Sequence, residues 1–270
     1  MHRDASHIEN LLEPVLDIAR AAGRGIMAVY ATDFGVVQKT DHSPLTAADM
    51  AAHHTIMRGL AQLTPDLPVL SEEAADVPFA QRAAWRRYWL VDPLDGTREF
   101  INRNGDFTVN IALIEDQRPV LGVVHAPVSG VCYFARAGGG AYKQDNGAPQ
   151  AIRARRWDGG PCTVVGSRSH GGDSLKEFLA NLGDYEILSM GSSLKSCLVA
   201  EGKADIYPRL GPTSEWDTAA AQCIVEEAGG RVTDTAMRPL RYNTRNSLIN
   251  PHFFVFGDCR QDWTRFLAKT

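Results

Sequence analysis

No stretch of this chain is apolar for the roughly 18 residues that a membrane-crossing helix needs. No charge of one sign prevails either: 28 Lys and Arg stand against 32 Asp and Glu, a net charge of −4. That balance excludes a bulk polyanion such as duplex nucleic acid as the expected partner. It leaves room for a small anion, because local charge need not follow net charge. Cysteine is scarce: five residues, at 132, 162, 197, 223 and 259, with no C-x-x-C spacing. An odd, unpaired set argues against a disulfide framework and a zinc site, and fits a reducing, cytoplasmic compartment. The opening "MHRDASHIENLLEP" carries acids and no long apolar run, so it does not read as a signal peptide. There is no internal repeat and no low-complexity linker. What remains is a 270-residue chain, long enough for one large domain or two lobes around a substantial core.

Helical spacing comes first. Leu11, Leu12, Val15, Leu16, Ala19, Ala22 and Ile26 fall on one side of a helix, and Ser6 with Glu9 forms a capping box. Pro14 sits awkwardly inside, so a start near Glu13 is expected. "FGVVQKTDHSP" reads as a short strand entering a polar loop, and "TAADMAAHHTIMRGLAQL" as a second helix capped by Thr46. "PVLSEE" and "RRYWLVDP" read as buried strands that end in acids. "FTVNIALIED", "RPVLGVVHAP" and "GVCYFARAGGGAYKQ" follow as neighbouring antiparallel strands with turn signals between them. Beyond about residue 150, short strands alternate with helices. The expectation is an α/β (α+β) protein of layered sheets and helices: one domain over 1–270, with lobes at about 1–150 and 151–270.

Acids recur where strands end: Glu72 and Glu73, Asp92 and Asp95, and Asp217 in "SEWDTAAA". Such ends are where sites are usually built. If these carboxylates converge they repel. Two unit charges about 4 Å apart cost about 4 kcal/mol at an effective dielectric of 20. A cation would relieve this, and oxygen-only ligands point to Mg²⁺, Mn²⁺ or Ca²⁺ rather than zinc. "WLVDPLDGTREF" then reads as a strand delivering Asp92 to a stiff turn. Pro93 fixes the backbone, Gly96 permits a close turn, and Thr97 opens a helix whose free N–H groups suit an anion. Taken singly, each acid has a plain structural alternative. Asp-Pro and Asp-Gly are common turn pairs, Asp217 can cap the helix after it, Asp49 can complete a box with Thr46, and Glu72–Glu73 can be a solvated strand end.

Together these residues resemble a known family. "DPLDGT", the glutamate pair of "VLSEEA" and "WDTAAAQCIVEEAGG" are similar to the signatures of the inositol monophosphatase superfamily. "KTDHSPLTAAD", "REFINRNGDFTVNIALI", "VVGSRSH", "GSSLKSCLVAEGKADIYPR" and "GPTSEWDTAA" resemble its CysQ-type branch, the 3′(2′),5′-bisphosphate nucleotidases. The resemblance runs from about Lys39 to the end of the chain. It implies an α-β-α-β-α sandwich and Mg²⁺-dependent hydrolysis of adenosine 3′,5′-bisphosphate, a by-product of sulfate assimilation, to AMP and phosphate. It further implies two to three Mg²⁺ per site, Mn²⁺ as a substitute, and inhibition by Li⁺ and Ca²⁺. Carried over by position, Glu72, Asp92 and the Leu94 carbonyl would hold one metal. Asp92, Asp95 and Asp217 would hold a second, and Glu72 would help hold a third. Thr97 with Asp49 would orient the attacking water, and Glu73 would hydrogen-bond beside the site. The resemblance leaves open a homodimer and peripheral attachment to the cytoplasmic face of the inner membrane.

A bisphosphate carries a second phosphate that needs its own donors. "MGSSLK" offers Ser192, Ser193 and Lys195 at a loop-to-helix junction, though an ordinary helix start with a surface lysine reads equally well. Arg209 in "IYPRLG" and Ser167 or Arg168 in "VGSRSH" are further candidates, with Gly96, Thr97 and Asp217 against the phosphate held by the metals. His170 is by default a structural or solvated histidine. In inositol monophosphatases a glutamate stands near the position of Arg209 and meets the inositol hydroxyls. A cation there favours an extra phosphate over a neutral polyol, and Glu215 is out of register with that glutamate. The competing enzyme reading is an inositol or sugar monophosphatase. A non-catalytic sensor of the nucleotide would be expected to lack a ligand or Thr97, and none is missing. The sulfated precursor nucleotide and fructose 1,6-bisphosphate stay open as further substrates.

Overall fold

The computed structural model describes residues 3–32, 44–166 and 172–268, with side chains described from residue 8 in the first segment and from 46 in the second. The strand expected in "FGVVQKT" and the candidates Ser167, Arg168 and His170 lie outside the described residues.

Helix α1 spans Arg3–Tyr30 and α2 spans Pro44–Leu63. Both begin earlier than their sequences suggest. Pro14 lies inside α1, and Ser6 and Glu9 fall within the helix rather than at its cap. The reason is burial. Ile8 and Leu11, N-terminal to the proline, continue the apolar face of Val15, Leu16, Ala19, Ala22 and Ile26. Burying two such side chains is worth about 3–6 kcal/mol, enough to offset the roughly 3 kcal/mol an interior proline costs. In α2, Pro44 takes the first position, where its missing N–H has no intrahelical partner to lose. Thr46 therefore sits inside the first turn.

The two helices cover one face of a seven-stranded sheet whose strands lie in chain order: β1 Val69–Ser71, β2 Arg87–Asp95, β3 Thr108–Glu115, β4 Arg118–Ala126, β5 Val131–Arg136, β6 Ala141–Gln144 and β7 Gln150–Ile152. All neighbours pair antiparallel except β1 and β2, whose parallel crossover carries the short helix α3, Phe79–Arg82. Helix α4, Thr97–Ile101, follows β2.

A second sheet has the order β11-β12-β10-β8-β9, made of β8 Cys162–Gly166, β9 Tyr185–Ser189, β10 Ile206–Arg209, β11 Arg231–Asp234 and β12 Phe253–Phe256. Helices α6, Leu194–Ala200, and α7, Ala219–Glu227, lie between the sheets, where Cys197, Val199, Ala220 and Ile224 share one core with Leu90, Ala112, Tyr207 and Val255. Helix α5, Asp173–Leu182, closes the far side through Phe178, Leu179 and Leu182. The layers therefore run α-β-α-β-α. Among the described residues, no helix is long and apolar enough to cross a membrane.

Candidate active site

Parallel pairing of β1 with β2 sets the first acids. Ser71 stands opposite Val91, so Glu72, just past the end of β1, and Asp92, still within β2, come at the same level of the sheet. Glu72 and Glu73 form a 3₁₀ turn there. Behind it His53 Nδ1 meets Ser71 Oγ at 2.9 Å, and burial with the neighbouring His54 holds that imidazole below its usual pKa.

The Asp-Pro-Leu-Asp segment is not a turn after the strand. Strand β2 continues through it to Asp95, with a bulge: Asp92 pairs with Asn110 and Asp95 with Thr108, so Pro93 and Leu94 face Val109 alone. In a regular strand, residues three apart point to opposite faces. The extra residue restores Asp95 to the face of Asp92. Proline is tolerated because a bulge leaves one position out of the ladder. Asp92 Oδ1 accepts the Leu94 N–H at 3.0 Å, which stiffens the bulge. Gly96, at φ 97°, then turns the chain into α4, with Thr97 as its first residue.

Asp217 comes from the other half of the chain, on a 3₁₀ turn at Glu215–Asp217. It does not cap the helix that follows. Its Oδ2 reaches back to the Ser214 N–H at 2.9 Å, while the Ser214 side chain accepts from the Asp217 backbone. Glu215, two residues earlier, is turned inward and accepts the Asn243 N–H at 2.8 Å. Burial pushes its pKa up to about 7.

Asp92, Asp95 and Asp217 thus meet, each offering a carboxylate oxygen within 4.8 Å of the others. Glu72 is exposed and outside this trio, yet its charge is the strongest neighbouring influence on Asp92. Burial, then Glu72, Asp95, Asp217 and Asp49, drive the Asp92 carboxyl well above its ordinary range. Burial and Asp95 push Asp217 up to about 8. Unaided, burial and mutual repulsion leave Asp92 and Asp217 in need of protons to offset their charge. A cation removes that need, and an all-carboxylate donor set suits a hard divalent ion. The residues present therefore fit the metal that the sequence implies. Asp49 lies buried on α2, close enough for its charge to act on Asp92, and α2 packs on the helix that Thr97 opens.

Beside the trio is a cavity of about 130 Å³ lined by Asp95, Gly96, Glu99, Ser192, Ser193, Lys195, Tyr207, Arg209 and Asp217, among others. Three of its residues are cations: Arg98, which is exposed, Lys195 and Arg209. Lys195 is buried on the first turn of α6, with its ammonium 5.6 Å above the Tyr207 ring, and burial lowers its pKa. Arg209 ends β10; its Nη2 donates to the Pro212 carbonyl at 2.9 Å, and its buried Nε has no hydrogen-bond partner. Tyr207 and Arg209 also line a second, less polar cavity of about 320 Å³ with Leu175, Leu210 and Pro212. Ser192 holds a left-handed conformation, φ 45°, the kind of strain that structures keep at functional positions.

Three residues that sequence reasoning passed over matter here. Thr108 and Asn110 alternate along β3 and both reach Asp95 Oδ2, at 3.5 and 3.3 Å. Tyr207 forms the floor under Lys195. The polar alternation in "FTVN" was visible; which face it occupied was not.

The chain as a whole is similar to known proteins. Residues 7–263 match the inositol monophosphatase family model. A 3′(2′),5′-bisphosphate nucleotidase CysQ from Escherichia coli O157:H7 is 55% identical over 248 residues, covering 91% of this chain and 99% of that protein. The enzyme of the same name from Haemophilus influenzae is 40% identical, covering 94% and 96%. Among solved structures, CysQ from Bacteroides thetaiotaomicron, described as a bacterial member of the inositol monophosphatase family, superposes with a TM-score of 0.84 at 40% identity, over 95% of this chain and 98% of that one. An inositol monophosphatase from Zymomonas mobilis gives 0.77 at 25% identity, over 96% of each chain. The layered fold, the meeting carboxylates and these matches agree: the chain belongs to the inositol monophosphatase family.

Proposed function

We propose that this protein is a Mg²⁺-dependent 3′(2′),5′-bisphosphate nucleotidase that hydrolyses adenosine 3′,5′-bisphosphate to AMP and phosphate, in a single phosphatase domain. The observation that carries the reading is one cavity that joins two of the clustered carboxylates, Asp95 and Asp217, to the cations Lys195 and Arg209, with Arg98 at its exposed margin. A monophosphate ester has no need of such cations beyond the metals. A bisphosphate does, because its second phosphate must be neutralised away from them. The names of the similar proteins point the same way.

In this reading Asp92, Asp95 and Asp217, with Glu72 and the Leu94 carbonyl, hold the metals. When bound, these would neutralise charge on the phosphoryl group and acidify a water. The chain's own groups do the rest. Thr97 Oγ1 and the Asp49 carboxylate orient the attacking water in line with the leaving oxygen. Glu73 steadies the turn that carries Glu72. Lys195 and Arg209 take the remote phosphate, with Ser192 beside them, and the less polar cavity past Arg209 is the seat for the nucleoside. Mn²⁺ substitutes for Mg²⁺, and Li⁺ and Ca²⁺ inhibit.

The test is phosphate release from adenosine 3′,5′-bisphosphate and from inositol 1-phosphate, each with and without Mg²⁺, beside Asp95→Asn. Mg²⁺-dependent release from the nucleotide, lost in the variant, supports the reading. Release chiefly from inositol phosphate would retain the metal site and refute the substrate.

A further inference from the structure

We propose that Ser193 is a positioning residue that sets the spacing between Asp95 and Asp217, and that Asn110 holds it in that role. The sequence suggests Ser193 as a substrate donor, but its groups are already committed. Its N–H donates to Asp95 Oδ2 at 2.7 Å. Its hydroxyl, with one proton, lies 2.8 Å from the same Oδ2 and 2.7 Å from the Asp217 carbonyl oxygen. Asn110 Nδ2 donates to Ser193 Oγ at 2.9 Å and to Asp95 Oδ2 at 3.3 Å. Ser193 is 5% exposed and Asn110 1%, so little solvent competes for these bonds.

Two features argue that this is a built arrangement. The first is the orientation of Asn110. Its Oδ1 is buried with no hydrogen-bond partner, a cost of about 1–3 kcal/mol. Turned over, the amide would set Oδ1 against the Asp95 carboxylate and lose the donor to it, and only the Ser193 hydroxyl could still pair with that oxygen. The donors decide the orientation. The second is topology. Asp95 belongs to the seven-stranded sheet, and Asp217 to a turn between the layers. They reach Ser193 across chain separations of 98 and 24 residues. One side chain thus touches a ligand-bearing residue from each half of the chain. It engages only one Asp95 oxygen and leaves the other carboxylate oxygen for a cation.

This inference rests on the metal-site reading but not on the identity of the substrate. The experiment is therefore a binding titration of the full-length protein with Mn²⁺ alone, followed by calorimetry or the spin resonance of the free ion, for wild type, Ser193→Ala, Asn110→Ala and Ser193→Thr. Removing a group that orients a metal ligand typically costs 10- to 100-fold in affinity. A weakening of about tenfold or more is expected in both alanine variants, with Ser193→Thr within threefold of wild type. In turnover, the metal concentration for half-maximal rate should rise in both alanine variants. Melting in chelator identifies any variant that fails to fold, and the other alanine variant then carries the comparison. Unchanged Mn²⁺ affinity in a folded alanine variant overturns the proposal. So does a raised KM for the bisphosphate at unchanged Mn²⁺ affinity, which would make Ser193 a substrate donor. Failure of the nucleotidase reading would appear as absent turnover with Mn²⁺ binding intact.

Discussion

Replacing Arg209 with Gln separates recognition of a bisphosphate from phosphate chemistry as such. The guanidinium stands at the boundary of the two cavities with a buried Nε that bonds nothing, so it has donor capacity to spare. A charge-assisted hydrogen bond is worth about 1.5–3 kcal/mol. At 1.36 kcal/mol per factor of ten, its loss should reduce kcat/KM for adenosine 3′,5′-bisphosphate about 10- to 150-fold. The same variant acting on adenosine 3′-monophosphate, which lacks the remote phosphate, should lose less than threefold. Its bond to the Pro212 carbonyl is also lost, so the monophosphate serves as the control for distortion of that loop. Arg209→Lys should fall between, keeping charge but not the planar fork. The measurement is initial-rate kinetics on both substrates at saturating Mg²⁺. Equal losses on both would show that Arg209 acts on the site as a whole, and the argument from the cavity's cations would fail.

The protein freed of metal should be less stable at pH 8 than at pH 5. Asp92 and Asp217 hold protons more tightly folded than unfolded, so their contribution is complete below about pH 4, the unfolded value, and is lost as pH rises towards 8. Urea titrations with chelator should show the midpoint falling over that range, and millimolar Mg²⁺ should flatten the slope. Gly191→Ala should destabilise by about 1–3 kcal/mol, because a Cβ there would lie 2.5 Å from Glu99 Cγ and 2.8 Å from the Asp106 carbonyl, and backbone cannot swing aside. Chemical denaturation measures it, and a neutral result would mean the loop before Ser192 relaxes freely. Ser214→Ala should cost about 1 kcal/mol through the lost cap on the Asp217 turn and should also weaken Mn²⁺ binding; loss of stability with intact binding would mean the cap does not orient Asp217.

Much of the architecture was legible because apolar period and strand-end chemistry are local. The antiparallel run from "FTVN" to "YKQ", the alternation after residue 150, and the acids at the ends of β1 and β2 all lie where the residues suggest. What was not legible depended on partners far off in the chain. The start of α1 is not legible locally because Pro14 is a local signal, whereas the burial of Ile8 and Leu11 that overrules it is set by the sheet beneath. Asp-Pro-Leu-Asp read as a turn because proline and aspartate favour turns. Only the pairing with β3, and the single residue Val109 opposite two, makes it a bulge.

That bulge also explains why the spacing of the acids matters. A strand with acids two apart would present both on one face without irregularity, but in rigid ladder positions, each backbone group paired. Three apart with a bulge brings both to one face while leaving part of the intervening Pro93–Leu94 backbone out of regular pairing. A carbonyl released from the ladder in that way can turn to a cation, which a paired carbonyl cannot do without losing a hydrogen bond. Proline at the released position costs no ladder bond and narrows the backbone around both acids. The motif is therefore one device rather than two aspartates with spacers. Its third carboxylate has to come from elsewhere, because no further residue of β2 can reach the same point. Asp217 meets that need from the other half of the chain, carried by a turn whose position depends on Ser214 behind it and Ser193 beside it.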